Sequence, residues 1–173
     1  NLIKTPVVVR VPGQEYGHIG KALDTAADAV MVPMVEDAAQ AELIVKAAKF
    51  PPLGSRSYGS RRLIDLFGRS YANNDKPQPL LICQIENEKG LKNANSIAAV
   101  EGVDVLFIGA EDMALEQQLP MEKSKPKEYF DSALKTVAQA AKENRKIAGG
   151  VFVNEQDLSN AVKLGYKLIV SAL

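Results

Sequence analysis

The chain has one cysteine, one histidine, no long apolar run and no net charge, Lys+Arg and Asp+Glu standing at 21 each. Each scarcity excludes something. A lone Cys83 cannot form an internal disulfide, and its place in Leu80-Leu81-Ile82-Cys83 is that of a small core hydrophobe. With His18 the only histidine, neither a multi-histidine zinc site nor a Ser-His-Asp triad can be built from these residues. His18 itself is expected at the surface, on the polar side of the helix leading to Ile19. No stretch approaches the ~20 apolar residues that span a bilayer, and no signal peptide is visible at the start. A cytoplasmic protein without membrane contact is expected. No Lys/Arg cluster is interleaved with aromatics, so no nucleic-acid partner is expected either. Gly149-Gly150 lacks the spacing of a dinucleotide fingerprint, and no Walker-type loop occurs.

What is present is an ordinary globular composition, 46% hydrophobic and 24% charged over 173 residues, enough for one domain with a sizeable core. Short β-branched runs alternate with helical patterns from end to end. Strands are predicted over Val7 to Arg10, Ala29 to Met34, Leu80 to Glu86, Val105 to Ile108, Ala148 to Val153 and Leu168 to Ser171. They read as near-continuous apolar segments, the pattern of an α/β protein with a parallel sheet covered on both faces. Between them Ile19, Ala22, Leu23 and Ala26, then Ala41, Ile44, Val45 and Ala48, then Phe130, Leu134, Val137 and Ala141 mark helices with one buried stripe. Asn154 with Asp157 reads as an N-cap before a helix that Gly165 ends.

Two connections break this rhythm. Pro51-Pro52-Leu53-Gly54 stops a helix, and about 25 residues rich in Arg, Ser, Gly and Asn follow before the next strand, a length that is usually functional or disordered. Glu116 to Lys127, with Pro120 and Pro126, reads as a solvated excursion. Six strands are two fewer than a closed barrel needs, and Asn1 is not an initiator Met. Further residues before Asn1 and after Leu173 are therefore expected.

The chemistry-bearing residues cluster at strand ends. Gln84 and Glu86 share a face because strand side chains alternate, and Asp112 follows the next apolar run in Phe107-Ile108-Gly109-Ala110-Glu111-Asp112. Two carboxylates are few for an all-protein Ca²⁺ cage. They suit Mg²⁺ or Mn²⁺, which keep waters and accept substrate oxygens. The competing role for each is a negative charge favouring a helix N-terminus. Arg10 ends the first strand before Pro12-Gly13 and awaits a carboxylate there. Arg56, in Gly54-Ser55-Arg56-Ser57-Tyr58-Gly59-Ser60, is either a ligand for a substrate carboxylate or phosphate, or a solvated loop arginine.

The strings TPVVVRVPG, AVMVPMVEDAAQAE, PPLGSRSYGS, ICQIENEKGL, VEGVDVLFIGAEDMA and AGGVFVNEQ with LGYKLIVSAL resemble the metal-dependent (class II) pyruvate aldolases typified by 4-hydroxy-2-oxoheptanedioate aldolase. That family sits in the phosphoenolpyruvate/pyruvate barrel superfamily with the citrate lyase β-subunits. The resemblance implies a TIM (β/α)8 barrel of which this chain carries strands 3 to 8, residues 1–173 forming a single incomplete domain without the first two βα units and the final helix. It implies a carbon-carbon lyase that cleaves a 4-hydroxy-2-oxo acid to pyruvate, or a related 2-oxo acid, and an aldehyde. The cofactor would be a divalent cation, Mg²⁺ or Mn²⁺ with Co²⁺ a further candidate, and the assembly a homo-oligomer, a hexamer by family likeness. Carried over, Glu86 and Asp112 match the metal carboxylates, Gln84 the glutamine contacting the oxo acid, Arg10 the arginine stabilising the enolate, and Glu111 a position whose backbone contacts substrate. Asp24 matches an aspartate that raises the basicity of the family's catalytic histidine. That histidine follows the family's second strand and has no counterpart here. The wording Gly109-Ala110-Glu111-Asp112 is closer to the citrate lyase branch, so a citryl- or malyl-CoA lyase-like enzyme is the alternative, and a non-catalytic metal-binding barrel remnant a second.

Overall fold

The computed structural model describes residues 5–59, 61–73, 77–119 and 127–171. Its elements run β1 (Val8–Arg10), α1 (Tyr16–Asp24), β2 (Ala29–Val32), α2 (Ala38–Ala48), α3 (Arg61–Phe67), a 3-10 turn (Arg69–Ala72), β3 (Leu80–Ile85), α4 (Glu88–Lys92), α5 (Ala94–Ala99), β4 (Val105–Ile108), α6 (Ala110–Glu116), α7 (Lys127–Glu143), β5 (Ile147–Phe152), α8 (Glu155–Leu164) and β6 (Leu168–Ser171). Helices α2, α4 and α8 start where side chains satisfy free N–H groups: Asp37 accepts from Gln40, Asn87 from Gly90 and Asn154 from Asp157. Gly165 ends α8 at φ 95, a left-handed value that suits glycine and reverses the chain toward β6.

The six strands are all parallel and lie in sequence order, β1 to β6. Alternation divides their side chains between two cores. Val30, Val32, Leu81, Cys83, Ile85, Leu106 and Ile108 face the helices and pack with Ile19, Leu23, Ile44, Ile97 and Val137. Ala29, Met31, Ile82, Val105 and Phe107 point the other way and meet one another, with Ile147 and Leu168 against them. A sheet whose inner side chains fill their own concavity is curled, and the result is a half-barrel of six parallel strands. Cys83 is fully buried in the outer core, where desolvation pushes its thiol up to about 12 and leaves it unreactive.

At the strands' amino-terminal ends, charge is used as a fastener. Lys49 is buried, and its Nζ donates to the Pro79 carbonyl and to Asp104 Oδ2, both at 2.7 Å. The same Asp104 oxygen accepts the Leu81 N–H at 2.7 Å, so one ion pair ties α2 to the starts of β3 and β4.

The structure departs from the sequence expectations at a few ends. β2 stops at Val32 because Pro33 has no N–H for the ladder and Met34 turns to φ 54. The stripe through Ile19, Ala22 and Leu23 loses Ala26, which lies beyond the helix at φ 70. Within the long connection after Phe50, Arg61–Phe67 is helical, followed by the 3-10 turn; residues 60 and 74–76 lie outside the described residues. Of the polar segment from Glu116, residues 120–126, with Pro120 and Pro126, also lie outside them. No helix among the described residues is long and apolar enough to cross a membrane.

Candidate active site at the carboxyl ends of the strands

Parallel strands bring their carboxyl ends to one rim, and four side chains from positions 10, 84, 86 and 112 converge there. Arg10 ends β1, and its Nε donates to Gln84 Oε1 of β3 at 2.6 Å. Its Nη2 stands 3.7 Å from Oε1 of Glu86, the residue just past β3. Glu86 has only 2% of its side chain exposed, against 53% for Arg10. The arginine therefore faces the open mouth, and the carboxylate lies beneath it.

A carboxylate this buried needs partners, and its surroundings supply conflicting ones. Its Oε2 accepts the Met34 N–H at 2.8 Å. Burial raises its pKa first of all; the charge and hydrogen bond of Asp112 raise it further, while the Met34 N–H and Arg10 pull it down. Asp112 sits in the first turn of α6 with Glu111, both exposed. Gly109, at the turn between β4 and α6, is required by close approach: a Cβ there would lie 2.5 Å from Glu86 Cγ and 2.9 Å from its Oε1.

Two carboxylates held against each other, one of them buried, repel unless a proton or a cation lies between them. Their hard oxygen donors fit Mg²⁺ or Mn²⁺ with remaining positions left to water and substrate. Among the described residues no group of three or more His, Cys, Asp or Glu forms a complete protein-only metal site.

Arg56 and Asp24 do not join this cluster. Asp24 closes α1 and Arg56 follows α2, so both lie toward the strands' amino-terminal ends. Arg56 Nη2 pairs with Asp24 Oδ1 at 3.3 Å, and its guanidinium lies 4.7 Å over the Phe50 ring. The side chain is buried, with 3% exposure, which corrects the solvated-loop alternative. Among the described residues its Nε has no hydrogen-bond partner. Gly59 lies directly against Asp24, so the loop wraps the carboxylate. His18 is exposed on α1, as expected, with its Nδ1 2.8 Å from Glu15 Oε2.

Sequence reasoning missed two contributors: the Met34 N–H and Gly109. Only Gly109 left a signal, as a glycine between a strand and a helix. The Met34 backbone acts across a distance that no local pattern records.

The sequence profile of the HpcH/HpaI aldolase/citrate lyase family matches residues 1–172. The chain is 39% identical over 134 residues to 4-hydroxy-2-oxovalerate aldolase of Novosphingobium aromaticivorans, covering 77% of this chain and 49% of that protein. An HpcH/HpaI aldolase/citrate lyase family protein from Burkholderia cenocepacia superposes with a TM-score of 0.83 at 31% identity, over 95% of this chain and 66% of that one. The citrate lyase β subunit of M. tuberculosis, solved with oxaloacetate and magnesium, shares the fold alone, with a TM-score of 0.60 at 20% identity over 96% of this chain and 70% of that one. The chain thus spans about half the length of the curated relative it matches.

Proposed function

Because the chain belongs to the HpcH/HpaI aldolase/citrate lyase family, we propose that its protein is a divalent-metal-dependent pyruvate aldolase that cleaves a 4-hydroxy-2-oxo acid to pyruvate and an aldehyde. The observation that carries this reading is the buried Glu86 carboxylate facing Asp112 beneath an arginine that is already paired to Gln84. The aldolase activity of the Novosphingobium relative supports the substrate class.

Glu86 and Asp112 would hold Mg²⁺ or Mn²⁺, which supplies polarisation of a 2-oxo carbonyl when bound. Gln84 spends its Oε1 on Arg10, which leaves its Nε2–H groups for a substrate oxygen. Arg10, half exposed at the mouth, would neutralise negative charge as it builds on the enolate oxygen. In the cleavage direction the 4-hydroxyl gives its proton to a base and the C3–C4 bond breaks. Its electron pair passes into the pyruvate enolate, an aldehyde leaves, and C3 takes up a proton. None of the four convergent side chains is a histidine, and His18 lies on α1, so the base is not assigned to these residues. Glu111 is proposed to contribute its backbone, and Arg56 and Asp24 remain outside this arrangement.

The test is exchange of the pyruvate methyl protons with deuterated solvent, with and without Mn²⁺, in the intact protein. Glu86→Gln and Asp112→Asn should each abolish the metal-dependent rate; unchanged exchange in both sinks the metal assignment. Cleavage of malyl-CoA in place of 4-hydroxy-2-oxovalerate would move the protein to the citrate lyase branch.

A further inference from the structure

The Glu86 carboxylate is oriented by a backbone amide, and that amide is itself held from the far side. Pro33 and Met34 form one peptide plane, in which the Pro33 carbonyl and the Met34 N–H point in opposite directions. The N–H donates to Glu86 Oε2 at 2.8 Å. On the other side the Gln14 side-chain amide donates to the Pro33 carbonyl at 3.3 Å and to the Met34 carbonyl at 2.6 Å. Gln14 lies between β1 and α1, four residues after Arg10, so the loop that follows one site residue braces the loop that orients another.

The brace has something to hold. Met34 sits at φ 54, in the left-handed region that a methionine occupies only when its surroundings enforce it. Beyond it the Val35 N–H donates to the Gln84 carbonyl at 3.0 Å, and the Glu36 N–H to Gln40 Oε1 at 2.8 Å. The loop is thus pinned after Met34 by β3 and α2, and at Pro33 and Met34 by Gln14. A peptide plane released on the Gln14 side is free to rotate, and rotation withdraws the N–H from Glu86. The donor bond to the Pro33 carbonyl also polarises that peptide and strengthens its N–H.

We propose that Gln14 is a positioning residue of the metal site, clamping the Pro33–Met34 peptide so that Oε2 of Glu86 is fixed and Oε1 is left on the side of Arg10. This rests on the aldolase reading above. The chemistry is that of an outer partner orienting a metal-ligating carboxylate, whose removal costs about 10- to 100-fold in metal affinity. Acting through one peptide, Gln14 belongs at the lower end.

The experiment titrates the intact protein with Mn²⁺, without substrate, by calorimetry, in wild type, Gln14→Leu and Gln14→Met, which match the length or bulk of glutamine but cannot donate. Hydrogen exchange of the Met34 amide is followed in the same samples. The expected result is Mn²⁺ binding weakened about tenfold, faster Met34 exchange and an unchanged metal-free melting temperature. Two variants guard against one of them failing to fold. Unchanged affinity in a folded variant overturns the inference while leaving the aldolase reading standing, as does weakened binding with Met34 exchange unaltered. A wild-type protein that takes up no Mn²⁺ overturns the reading and the inference together.

Discussion

The two ends of the sheet use charge in opposite ways. At the amino-terminal ends, Lys49 meets Asp104 at 2.7 Å and Arg56 meets Asp24 at 3.3 Å; both cations are buried, and each faces a carboxylate. At the carboxyl ends a buried carboxylate faces another carboxylate, and the Arg10 cation stands 3.7 Å off, half exposed to solvent. The first arrangement answers each buried charge with an opposite one, so removing a partner would strand the other. The second opposes like charges, which a proton or a bound cation would relieve. Parallel strands make this division natural, because one rim collects the loops after the strands and the other the returns from the helices.

The largest expected effect separates the two ends directly. Glu86→Gln or Asp112→Asn should abolish metal-dependent turnover, a loss of at least the about 10²–10³-fold seen when a charge-stabilising group is removed from a site. The urea midpoint of the metal-free protein should not fall, since a like-charge pair has been relieved. A large stability loss in both variants would erase the contrast.

Lys49→Met should do the reverse. Among the described residues it leaves the Asp104 carboxylate the Leu81 N–H, and because Asp104 keeps some solvent access the expected cost is about 2–3 kcal/mol in urea unfolding, below the full value for a buried pair. Turnover per folded molecule should be unchanged. A change in Mn²⁺ affinity without a change in stability would show that the amino-terminal end is not a mere fastener.

Gly109→Ala tests how closely the rim is fitted. Its Cβ would meet Glu86 Cγ at 2.5 Å, so the carboxylate must shift, and activity should drop about tenfold or more, with a smaller change in stability. Retention of full activity would mean that the position of Glu86 is not critical.

The smallest effect is a pH dependence. Glu86 is held above its ordinary value of 4.5, by burial first and then by Asp112. The folded protein therefore keeps a proton that the unfolded chain has already lost, and stability declines as pH rises from 4.5 through the folded value, then levels off. Urea midpoints of metal-free wild type should show this decline and those of Glu86→Gln should not. Parallel profiles would place the Glu86 carboxyl in an ordinary, hydrated setting.

Much of the rim is legible in the sequence. Gln84 and Glu86 were placed on one face by alternation, Arg10 at a strand end by the Pro12-Gly13 turn, and Asp112 beyond the next apolar run. Strand positions followed from apolar runs because a strand covered on both sides has few polar residues to confuse the pattern. Arg56 was not legible: a loop rich in Ser and Gly gives no sign that its arginine folds under Phe50 onto Asp24, 32 residues earlier. Nor was Met34, whose backbone conformation comes from partners on β3, α2 and the loop after β1.

From the order of residues alone come the alternation of strand and helix, the face on which each strand side chain lies, and the identity of the groups at each strand end. Those properties depend on neighbours two to four positions away, where periodicity is set by backbone geometry. Tertiary structure alone decided which carboxylate is buried, which amide holds it and which arginine leaves the site. The reason is separation along the chain: Met34 reaches Glu86 across 52 residues and Arg10 reaches Gln84 across 74, and such contacts exist only once the sheet has curled.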